Sequence, residues 1–322
     1  MIRFIHTSAL TVLLTVLPTL SLQVSADNYK IGIAQWSGYP DSIEGFKLGL
    51  SEAGLTEGEN VEFIYGAIGP DKGLQTREVQ KLIDQNVDLI YSLTTPGTTI
   101  VKNLSPKERP IVFSIVTYPA DSGLIESFEY SGNNLVGTSN YVRAAHFITL
   151  LKLVLPTAKT VAIFHRKGEP NSKIQASNLI RLLKRGGITS IDIEAETIEQ
   201  VSQQAIAVAD KVELYITTTD TLMQSGGEQA LIKISAEHKI PILSSNKNGI
   251  DSGSTFGPVS DFHTLGKMSG NKASQILLDG TKPSRIETEL QNPPIFLGNQ
   301  SSMKHLGIVL SDKAASKIVW TE

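Results

Sequence analysis

The chain has 322 residues, of which 40% are hydrophobic and 19% charged, a composition typical of a folded globular protein and not of a disordered or membrane-embedded one. Its formal net charge is −3 and it has no run of basic residues, so we expect no nucleic acid as a partner. It contains no cysteine, which excludes disulfide bonds, thiolate metal ligands and cysteine nucleophiles. Burial of a core must therefore stabilise the fold, and a chain of this length can supply it.

The first 26 residues have the pattern of a cleaved export signal. Arg3 precedes the apolar residues 9–20, and Val24 and Ala26 occupy the positions of small residues before a signal-peptidase cut. The apolar stretch is too short to span a bilayer. We therefore expect cleavage after Ala26 and export to the periplasm. One alternative is a buried N-terminal helix, which Pro18 within the apolar run disfavours. Another is an uncleaved membrane anchor, and the absence of cysteine excludes a lipoprotein.

Beyond this segment, short β-rich runs alternate with longer segments of helical period, the pattern of a parallel sheet with helices on both faces. The predicted strands of this first series are residues 30–34, 61–65, 87–93 and 110–116, and the predicted helices are residues 41–53, 72–85 and 96–104. Asp41 and Glu44 stand at the spacing of a capping box, which predicts the start of the first helix, and Gly54 predicts its end.

Residues 118–134 interrupt this alternation, because they are rich in turn-forming residues and too numerous for a simple strand-to-helix loop. We expect the chain to pass there into a second lobe. The second series has predicted helices at residues 143–155, 172–184, 198–209 and 221–238, and predicted strands at residues 160–165, 190–193, 212–217 and 240–244.

Two further crossings are expected toward the end of the chain. The glycine-rich residues 246–258 indicate a return to the first lobe, where Asp261 is expected to cap a helix that runs to residue 278. A strand at residues 294–297 would cross again. The expected lobes are therefore residues 27–136 plus 259–290 and residues 137–258 plus 291–322.

Ligands of open parallel sheets bind beyond the carboxyl ends of the strands, where loops and helix N-termini converge. The loops predicted to lie there in the first lobe carry aromatic and hydroxyl side chains. These candidates are Trp36, Tyr39, Ser92, Thr94, Thr95 and Tyr118. An aromatic face suits a flat or apolar ligand, and hydroxyls at a helix start suit a carboxylate or another anion. Packing within the lobe and ordinary helix capping are the alternatives.

The corresponding loops of the second lobe include acidic side chains. Their candidates, together with one residue at the start of that lobe, are Ser139, Glu169, Asn171, Thr219, Asp220 and Ser245. Asp220 follows a predicted strand and opens a predicted helix, where its carboxylate would favour an ammonium or hydroxyl group of a ligand. The alternatives are a helix N-cap for Asp220 and solvent contact for Glu169 and Asn171.

The common catalytic and nucleotide-binding motifs are absent from the sequence, which contains no G-x-S-x-G, no H-E-x-x-H and no G-x-G-x-x-G. Its six histidines are scattered, without the spacing of metal ligands. We therefore expect no catalytic residue, no metal and no cofactor. An acid and a base that meet only in the folded chain would leave no motif, so an enzyme stays open as an alternative.

Short motifs along nearly the whole exported chain match a known family in order and spacing. They are Gly45-Phe46, Gly49-Leu50 and Gly54, Val87-Asp88-Leu89-Ile90, Thr94-Thr95-Pro96, residues 119–124, Gly137-Thr138-Ser139, Leu155-Pro156, Glu169-Pro170-Asn171-Ser172, Thr219-Asp220, Lys239-Ile240-Pro241, Leu265-Gly266 and Leu306-Gly307-Ile308. Through them the chain resembles the periplasmic substrate-binding proteins of ABC importers, of type I fold, in the group that includes the TrpX-like proteins, which bind tryptophan or tyrosine.

The resemblance implies an α/β fold of two Rossmann-like lobes with parallel sheets, joined by a hinge of three crossings. It implies a non-enzymatic, monomeric receptor that captures a small molecule of the amino acid class, aromatic compounds included, and delivers it to an ABC permease in the inner membrane. In relatives that take aromatic amino acids, a first-lobe hydroxyl loop holds the carboxylate and a second-lobe acid holds the amine. The residues that fit these roles are Ser92, Thr94, Thr95 and Asp220, with Trp36, Tyr39 and Tyr118 as stacking candidates.

One departure from the family pattern concerns the ligand. Residues 165–168, His-Arg-Lys-Gly, stand where an Asn-Pro pair more usually leads into the Glu169-Pro170 turn, and they add positive charge at the expected rim. An anionic solute therefore stays open. Two other classes of function also stay open, a periplasmic sensory module that signals to a kinase or chemoreceptor, and an exported enzyme with an acid/base pair in its cleft.

Overall fold

A computed structural model describes residues 28–322 as two α/β lobes, each built on one sheet. The expected export signal, with its cut after Ala26, lies outside the described residues. Between residues 28 and 322, no helix is both long enough and apolar enough to cross a membrane.

Six strands form the first sheet: β1 (Tyr29–Gln35), β2 (Val61–Tyr65), β3 (Leu89–Leu93), β4 (Ile111–Ser114), β5 (Leu135–Ser139) and β11 (Glu289–Leu290). Their order is β2-β1-β3-β4-β5-β11, and all neighbours are parallel. The helices of this lobe are α1 (Pro40–Glu52), α2 (Lys72–Asp84), α3 (Thr95–Leu104) and α9 (Phe262–Asp279).

Seven strands form the second sheet: β6 (Thr160–Arg166), β7 (Thr189–Ala195), β8 (Leu214–Thr217), β9 (Ile242–Leu243), β10 (Phe256–Val259), β12 (Ile295–Asn299) and β13 (Val319–Thr321). Their order is β7-β6-β8-β9-β10-β12-β13, and only the pair of β10 and β12 is antiparallel. The helices of this part are α4 (Ala144–Val154), α5 (Pro170–Arg185), α6 (Ile198–Val208), α7 (Glu228–His238), α8 (Lys247–Asp251), α10 (Gln300–His305) and α11 (Asp312–Ala315).

Both faces of each sheet are covered, which explains the continuously apolar strands that the sequence shows. In β1, Ile33 packs in one cluster with Tyr91 and Leu265. The next residue, Ala34, points to the other face and belongs to a separate cluster with Ile90. Polar side chains that could bind a ligand are therefore expected in the loops at the strand ends.

The chain crosses between the lobes three times, after β5, after β10 and between β11 and β12, which confirms the expected fold class. The first crossing is not where the sequence predicts it. Residues 118–134 connect β4 to β5, which are neighbours in the first sheet, so this segment is an excursion within the first lobe. Since β5 ends at Ser139 and β10 at Val259, we propose lobes of residues 28–139 plus 260–290 and residues 140–259 plus 291–322.

The start of α1 differs from the prediction. The helix begins at Pro40, and Tyr39, its N-terminal flanking residue, provides no side-chain cap. Proline is favourable at the first helical position because it lacks the amide hydrogen that would be unpaired there. Asp41 therefore lies inside the first turn, and the predicted capping box of Asp41 with Glu44 is wrong.

The helix predicted at residues 221–238 is also interrupted. A π-turn, Met223–Gly227, precedes α7, and within it Gly226 has φ +120°, which only glycine adopts easily.

The predicted cap of α9 is confirmed, since the Asp261 carboxylate accepts a hydrogen bond from the amide of Thr264 at 2.8 Å.

Helices α1 and α9 pack with their backbones in direct contact, because four glycines lie in the interface. These are Gly45 and Gly49 in α1 and Gly266 and Gly270 in α9. A Cβ at Gly45 would overlap the carbonyl oxygen of His263, and a Cβ at Gly266 would overlap that of Ser42. The contact joins α1, the first helix of the lobe, to α9, which follows the second crossing.

We predict that Gly45→Ala lowers the free energy of unfolding by about 3 kcal/mol, because the added methyl group forces the two helices apart. Urea unfolding measures the loss. Gly38→Ala is the matched control, since its Cβ would lie 3.5 Å from the Ile68 side chain, an ordinary contact; we expect a change within about 0.5 kcal/mol. Equal unfolding midpoints for the two variants would contradict the close packing.

Candidate ligand-binding cleft

The carboxyl ends of the two sheets meet at a cleft between the lobes. A cavity of about 400 Å³ opens there, lined by Trp36, Thr95 and Pro96 of the first lobe and by Arg166 and Glu169 of the second. These residues come at the ends of β1, β3 and β6 or in the loops that follow them, which is where an open parallel sheet binds ligands.

Two other cavities differ in position. One of about 70 Å³ also joins the lobes, with Tyr39 and Phe262 on one side and Gln224 on the other. A larger one, of about 620 Å³, lies within the first lobe around Lys102 and Lys282 and has no lining residue from the second lobe. The candidate site is therefore the cleft and not the larger cavity.

Three predicted hydroxyl residues at the end of β3 have different roles. The Ser92 hydroxyl is bonded to that of Thr98 at 2.9 Å, and the Thr94 hydroxyl accepts a hydrogen bond from the amide of Gly97, so both hold the start of α3. Thr94 also has φ +70°, a strained conformation that clusters at functional sites. The Thr95 hydroxyl is buried with no partner among residues 28–322 and lines the cavity. Thr95 is therefore the hydroxyl that is available to a ligand.

Trp36 forms the aromatic part of the first-lobe wall. It is 7% exposed and packs on the start of α3, where a Cβ at Gly97 would lie 3.0 Å from the Cβ of Trp36. Its indole N–H has no acceptor in the described part of the chain. Trp36 therefore presents both a ring and an unpaired donor next to Thr95.

Tyr39 lies on the same loop and faces the second lobe. Its ring packs edge-to-face on Phe262, with centroids 5.6 Å apart, and its buried hydroxyl has no partner within the described ranges. Burial, and then the charges of Glu169 and Asp220, raise the pKa of Tyr39. The phenol therefore stays protonated and faces two acids across the cleft.

Asp220 is buried and its carboxylate is fully bonded within its own lobe. It accepts hydrogen bonds from the amide of Arg166 at 3.0 Å, the hydroxyl of Thr218 at 2.7 Å and the amide of Met223 at 2.8 Å. Burial raises its pKa despite these bonds. The helix-capping alternative for Asp220 thus has direct structural support, and a ligand would sense its charge more than its lone pairs.

Glu169 is the second buried acid of this wall. It accepts a hydrogen bond from the Thr221 hydroxyl at 2.7 Å, and its Oε2 lies 3.8 Å from the guanidinium of Arg166, which itself donates to the Thr221 hydroxyl. Burial, followed by the nearby charge of Asp220, raises the pKa of Glu169 to about 7. Glu169 lines the cavity, so a positively charged ligand group would stabilise its ionised form.

A network of amides and hydroxyls fixes the remaining second-lobe loops. Asn171 donates to the carbonyl of Thr219 at 2.7 Å, and Gln175 links the amide of Thr219 to the hydroxyl of Ser245. Ser245 in turn donates to the carbonyl of Thr217 at 2.6 Å. The Oδ1 of Asn171 is buried without a partner in the described chain, whereas the Ser245 hydroxyl is occupied; contact of Asn171 with ligand stays a prediction.

Tyr118 and Ser139 lie beside the hinge. The Ser139 hydroxyl donates to the carbonyl of Thr117 at 2.9 Å and accepts from the amide of Tyr141 at 3.0 Å. The ring of Tyr118 packs on that of Tyr141, with centroids 5.0 Å apart. These two candidates thus contact Thr117 of the first lobe and Tyr141 of the crossing segment, and their contact with ligand stays a prediction.

Two further residues, which the sequence did not single out, have the properties of site residues. Asn140 is buried and Gln224 is half-buried, and the enclosed amide oxygen of each has no partner among the described residues. Asn140 could have been found, since it directly follows Ser139 at a strand end. Gln224 could not, because it lies in the π-turn that sequence periodicity hides.

The positive charges predicted at the rim are paired with acids. His165 is bonded to Asp192 at 2.9 Å, and Lys167 to Glu196 at 2.7 Å. With Arg166 beside Glu169, each of the three basic residues has an acidic neighbour. This pairing reduces the positive charge that these three residues add at the rim.

Comparison with known proteins agrees with this fold. The model of the ABC transporter substrate binding protein family matches residues 33–318, so the chain belongs to this family. The tyrosine-binding protein of Clostridioides difficile (strain R20291) is 28% identical over 279 residues, 86% of this chain and 80% of that protein.

Two solved structures have the same fold. The ABC domain from Streptococcus pneumonia in complex with L-Trp has a TM-score of 0.86 and 22% identity, over 92% of this chain and all of that one. A ligand-free, open substrate-binding protein with adhesive properties from Clostridium difficile has a TM-score of 0.71 and 26% identity, over 91% of this chain and all of that one. Together these matches confirm a type I substrate-binding protein of the TrpX-like group.

We predict that the ligand-free protein loses stability as the pH rises from 5 to 8. The folded pKa of Glu169, about 7, lies above its unfolded value, so its contribution to stability is present at low pH and is lost as the pH rises through 7. Glu169→Gln removes this contribution, about 1 to 3 kcal/mol, and flattens the pH dependence measured by urea unfolding.

The matched control is Glu196→Gln. Glu196 is exposed, and hydrogen bonding to Lys167 lowers its pKa, so its contribution changes below pH 5 and the slope above pH 5 should equal that of the wild type. Part of the slope should persist in Glu169→Gln, because burial also raises the pKa of Glu228 to about 7. If stability depended on pH identically in Glu169→Gln and in the wild type, the pKa of Glu169 would not be raised in the folded protein, and the prediction would be wrong.

Proposed function

We propose that this protein is the solute receptor of an ABC importer and that its solute is an aromatic α-amino acid, bound as a zwitterion between the lobes. The observation that carries the proposal is the division of unpaired buried polar atoms in the cleft. Unpaired donors of the first lobe are in Trp36 and Thr95, which line the cavity, and unpaired amide oxygens of the second lobe are in Asn171 and Gln224. The Tyr39 hydroxyl and the Asn140 amide are unpaired in the described chain as well. A zwitterion presents the complement of each set.

The carboxylate fits the first-lobe wall. The Thr95 hydroxyl and the Trp36 indole N–H are donors without acceptors in the described chain. Thr95 is the first residue of α3, and Trp36 packs against the first turn of that helix. The partial positive charge of a helix N-terminus stabilises an anion there. A negatively charged group would satisfy the unpaired donors and use the helix dipole at the same time.

The ammonium group fits the second-lobe wall. Glu169 supplies a carboxylate with its pKa near 7, and Asn171 and Gln224 supply unpaired amide oxygens. Asp220 adds negative charge near Glu169, although its own carboxylate already accepts three hydrogen bonds within the lobe. A bound cation would lower the pKa of Glu169 and replace the proton that it otherwise takes up.

An aromatic side chain fits the rest of the cavity. Trp36 and Ile100 line it, and Tyr39 and Phe262 form an aromatic pair nearby. A volume of about 400 Å³ is within the range of pockets that enclose a small organic molecule. The tyrosine-binding and L-Trp-bound relatives support the same class of ligand.

Receptor function is supported by the family and by the position of the site. A ligand between two lobes that meet at three crossing segments is enclosed by hinge closure, which a docking permease can recognise. We infer that the protein acts as a non-enzymatic monomer in the periplasm and delivers its solute to an inner-membrane ABC permease. Loss of uptake of a labelled aromatic amino acid in a deletion strain tests delivery; normal uptake with an altered transcriptional response would indicate a sensor instead.

We predict that calorimetry with protein freed of bound ligand detects aromatic L-amino acids. Methyl esters and N-acetyl derivatives of the same compounds should bind at least about 10-fold more weakly, since each removes one charged group of the zwitterion. A panel in which no free amino acid binds would refute the proposed ligand class.

Two substitutions test the assignment of the walls. Glu169→Gln and Thr95→Val keep the shape of the side chains, and each should weaken binding by about 10- to 100-fold, because hydrogen bonds to charged groups are lost. Ser92→Ala is the control, since its hydroxyl is bonded to Thr98, and its dissociation constant should match that of the wild type. Unchanged affinity in Glu169→Gln would place the ammonium group elsewhere.

A further inference from the structure

Gln75 is a buried amide whose N–H donors reach the residue before Trp36. It lies in α2 and is 1% exposed. Its Nε2 donates to the carbonyl oxygen of Gln35 at 2.9 Å, and the carbonyl oxygens of Ala67 and Gly69 lie 2.9 and 3.0 Å from the same nitrogen. Turning the amide over would place its oxygen against three carbonyl oxygens, so the network fixes this orientation.

The bond to Gln35 replaces a partner that the sheet does not provide. Strand β1 is paired with β2 as far as Ile33, whose carbonyl accepts a hydrogen bond from the amide of Gly66. Strand β1 then continues to Gln35, whereas β2 has ended before Gly66. Alternate carbonyls of a strand point to the same side, so the carbonyl of Gln35 faces the side that β2 has left. The side chain of Gln75 donates there in place of a neighbouring strand.

The other two carbonyls belong to the loop between β2 and α2. This loop lies beside the one that carries Trp36 and Tyr39, since a Cβ at Gly38 would be 3.5 Å from the side chain of Ile68. The bonds of Gln75 therefore hold both loops on α2.

Trp36 is held from two sides. Gln35, directly before it, is bonded to α2 through Gln75, and on the other side a Cβ at Gly97 would lie 3.0 Å from the Cβ of Trp36. Between these contacts, Trp36 lines the cleft cavity together with Thr95. A shift of the end of β1 would therefore move the ring and the indole N–H of Trp36 relative to Thr95.

We propose that Gln75 is a positioning residue for the first-lobe wall, which holds the end of β1 against α2 and thereby fixes the orientation in which Trp36 meets a ligand. The inference rests on the proposed function, because it takes Trp36 to contact the ligand. Gln75 is not one of the residues of the described chain that line the cleft cavity. Its effect on binding must therefore pass through the backbone that it holds.

Gln75→Met tests the proposal, because it keeps the length of the side chain and removes both N–H donors. Calorimetry with L-tyrosine and with L-tryptophan should show binding at least about 10-fold weaker than in the wild type, since the bonds that orient the wall are lost. Combined with Trp320→Phe, the substitution leaves Trp36 as the sole tryptophan. The emission of Trp36 in the ligand-free protein should then shift to longer wavelength than in Trp320→Phe alone, because a wall that is no longer fixed admits water.

Gln75→Glu serves if the methionine variant does not fold. Its carboxyl group would be surrounded by carbonyl oxygens and would stay protonated. It would then donate one hydrogen bond where glutamine donates two. We expect a loss of affinity in the same direction, smaller than that of the methionine variant.

Asn299→Leu is the matched control. Asn299 is also a buried amide, 3% exposed, and its Nδ2 donates to the carbonyls of Ile250 at 3.0 Å and Glu322 at 2.8 Å. It lies next to Thr255, before β10 begins, at the end of the second sheet that is remote from the cleft. Asn299→Leu should lower the melting temperature as Gln75→Met does, but both dissociation constants and the emission of Trp36 should stay those of the wild type.

Wild-type affinity in Gln75→Met would overturn the proposal, because the wall would then keep its orientation without Gln75. Equal weakening of binding in Asn299→Leu would also overturn it, since any loss of stability would then weaken binding. Failure of the wild type to bind either amino acid would instead refute the proposed function, and the emission of the ligand-free variants would still show whether Gln75 holds Trp36.

Discussion

The carboxylate of Asp220 is the interaction on which the second-lobe half of the site depends. Its three bonds join the end of β6, the loop that follows β8 and the π-turn, and they add to the pairing that already holds β6 beside β8. Because these three hydrogen bonds are buried, each is stronger than it would be in water. Loss of one of them would let water reach the other two. The cost is a concentrated negative charge, which adds to the effect of burial in raising the pKa of Glu169 and of Tyr39. A site with this charge is complementary to a cation before any ligand arrives.

The first-lobe wall presents hydrogen-bond donors to the cleft and has few charged side chains. Trp36 lies against Gly97, and the strained Thr94 caps the helix that begins there, so a rigid helix start presents its donors to the cleft. Buried donors of Trp36 and Thr95 and buried amide oxygens of Asn171 and Gln224 have no partners within the described chain, so the two lobes do not satisfy each other completely. A ligand that carries both charges removes the mismatch, and its differential binding to the closed arrangement supplies the free energy for closure.

Much of the fold follows from the sequence, because strands buried on both faces leave short apolar runs that are easily seen. The departures have local causes. Pro40 starts α1 and displaces the capping box; Gly226 permits a π-turn that periodicity cannot reveal; and residues 118–134 resemble a domain linker in composition although the next strand rejoins the same sheet. The candidate site was predictable to the level of the loop. Which hydroxyl within a loop is free was not, since Ser92, Thr94 and Thr95 differ only in the partners that tertiary packing provides.

The contact of α1 with α9 has a consequence for the order in which the lobes are completed. One face of the first sheet, with Ile33 and Tyr91, is covered in part by Leu265 and its neighbours on α9. That helix follows the whole of residues 140–259 along the chain. During synthesis from the N-terminus, the first lobe to begin is therefore left with an uncovered apolar face while most of the second lobe is made. A nascent chain at this stage has a surface suited to a chaperone, and the glycine interface that later closes it joins the two ends of an interrupted domain.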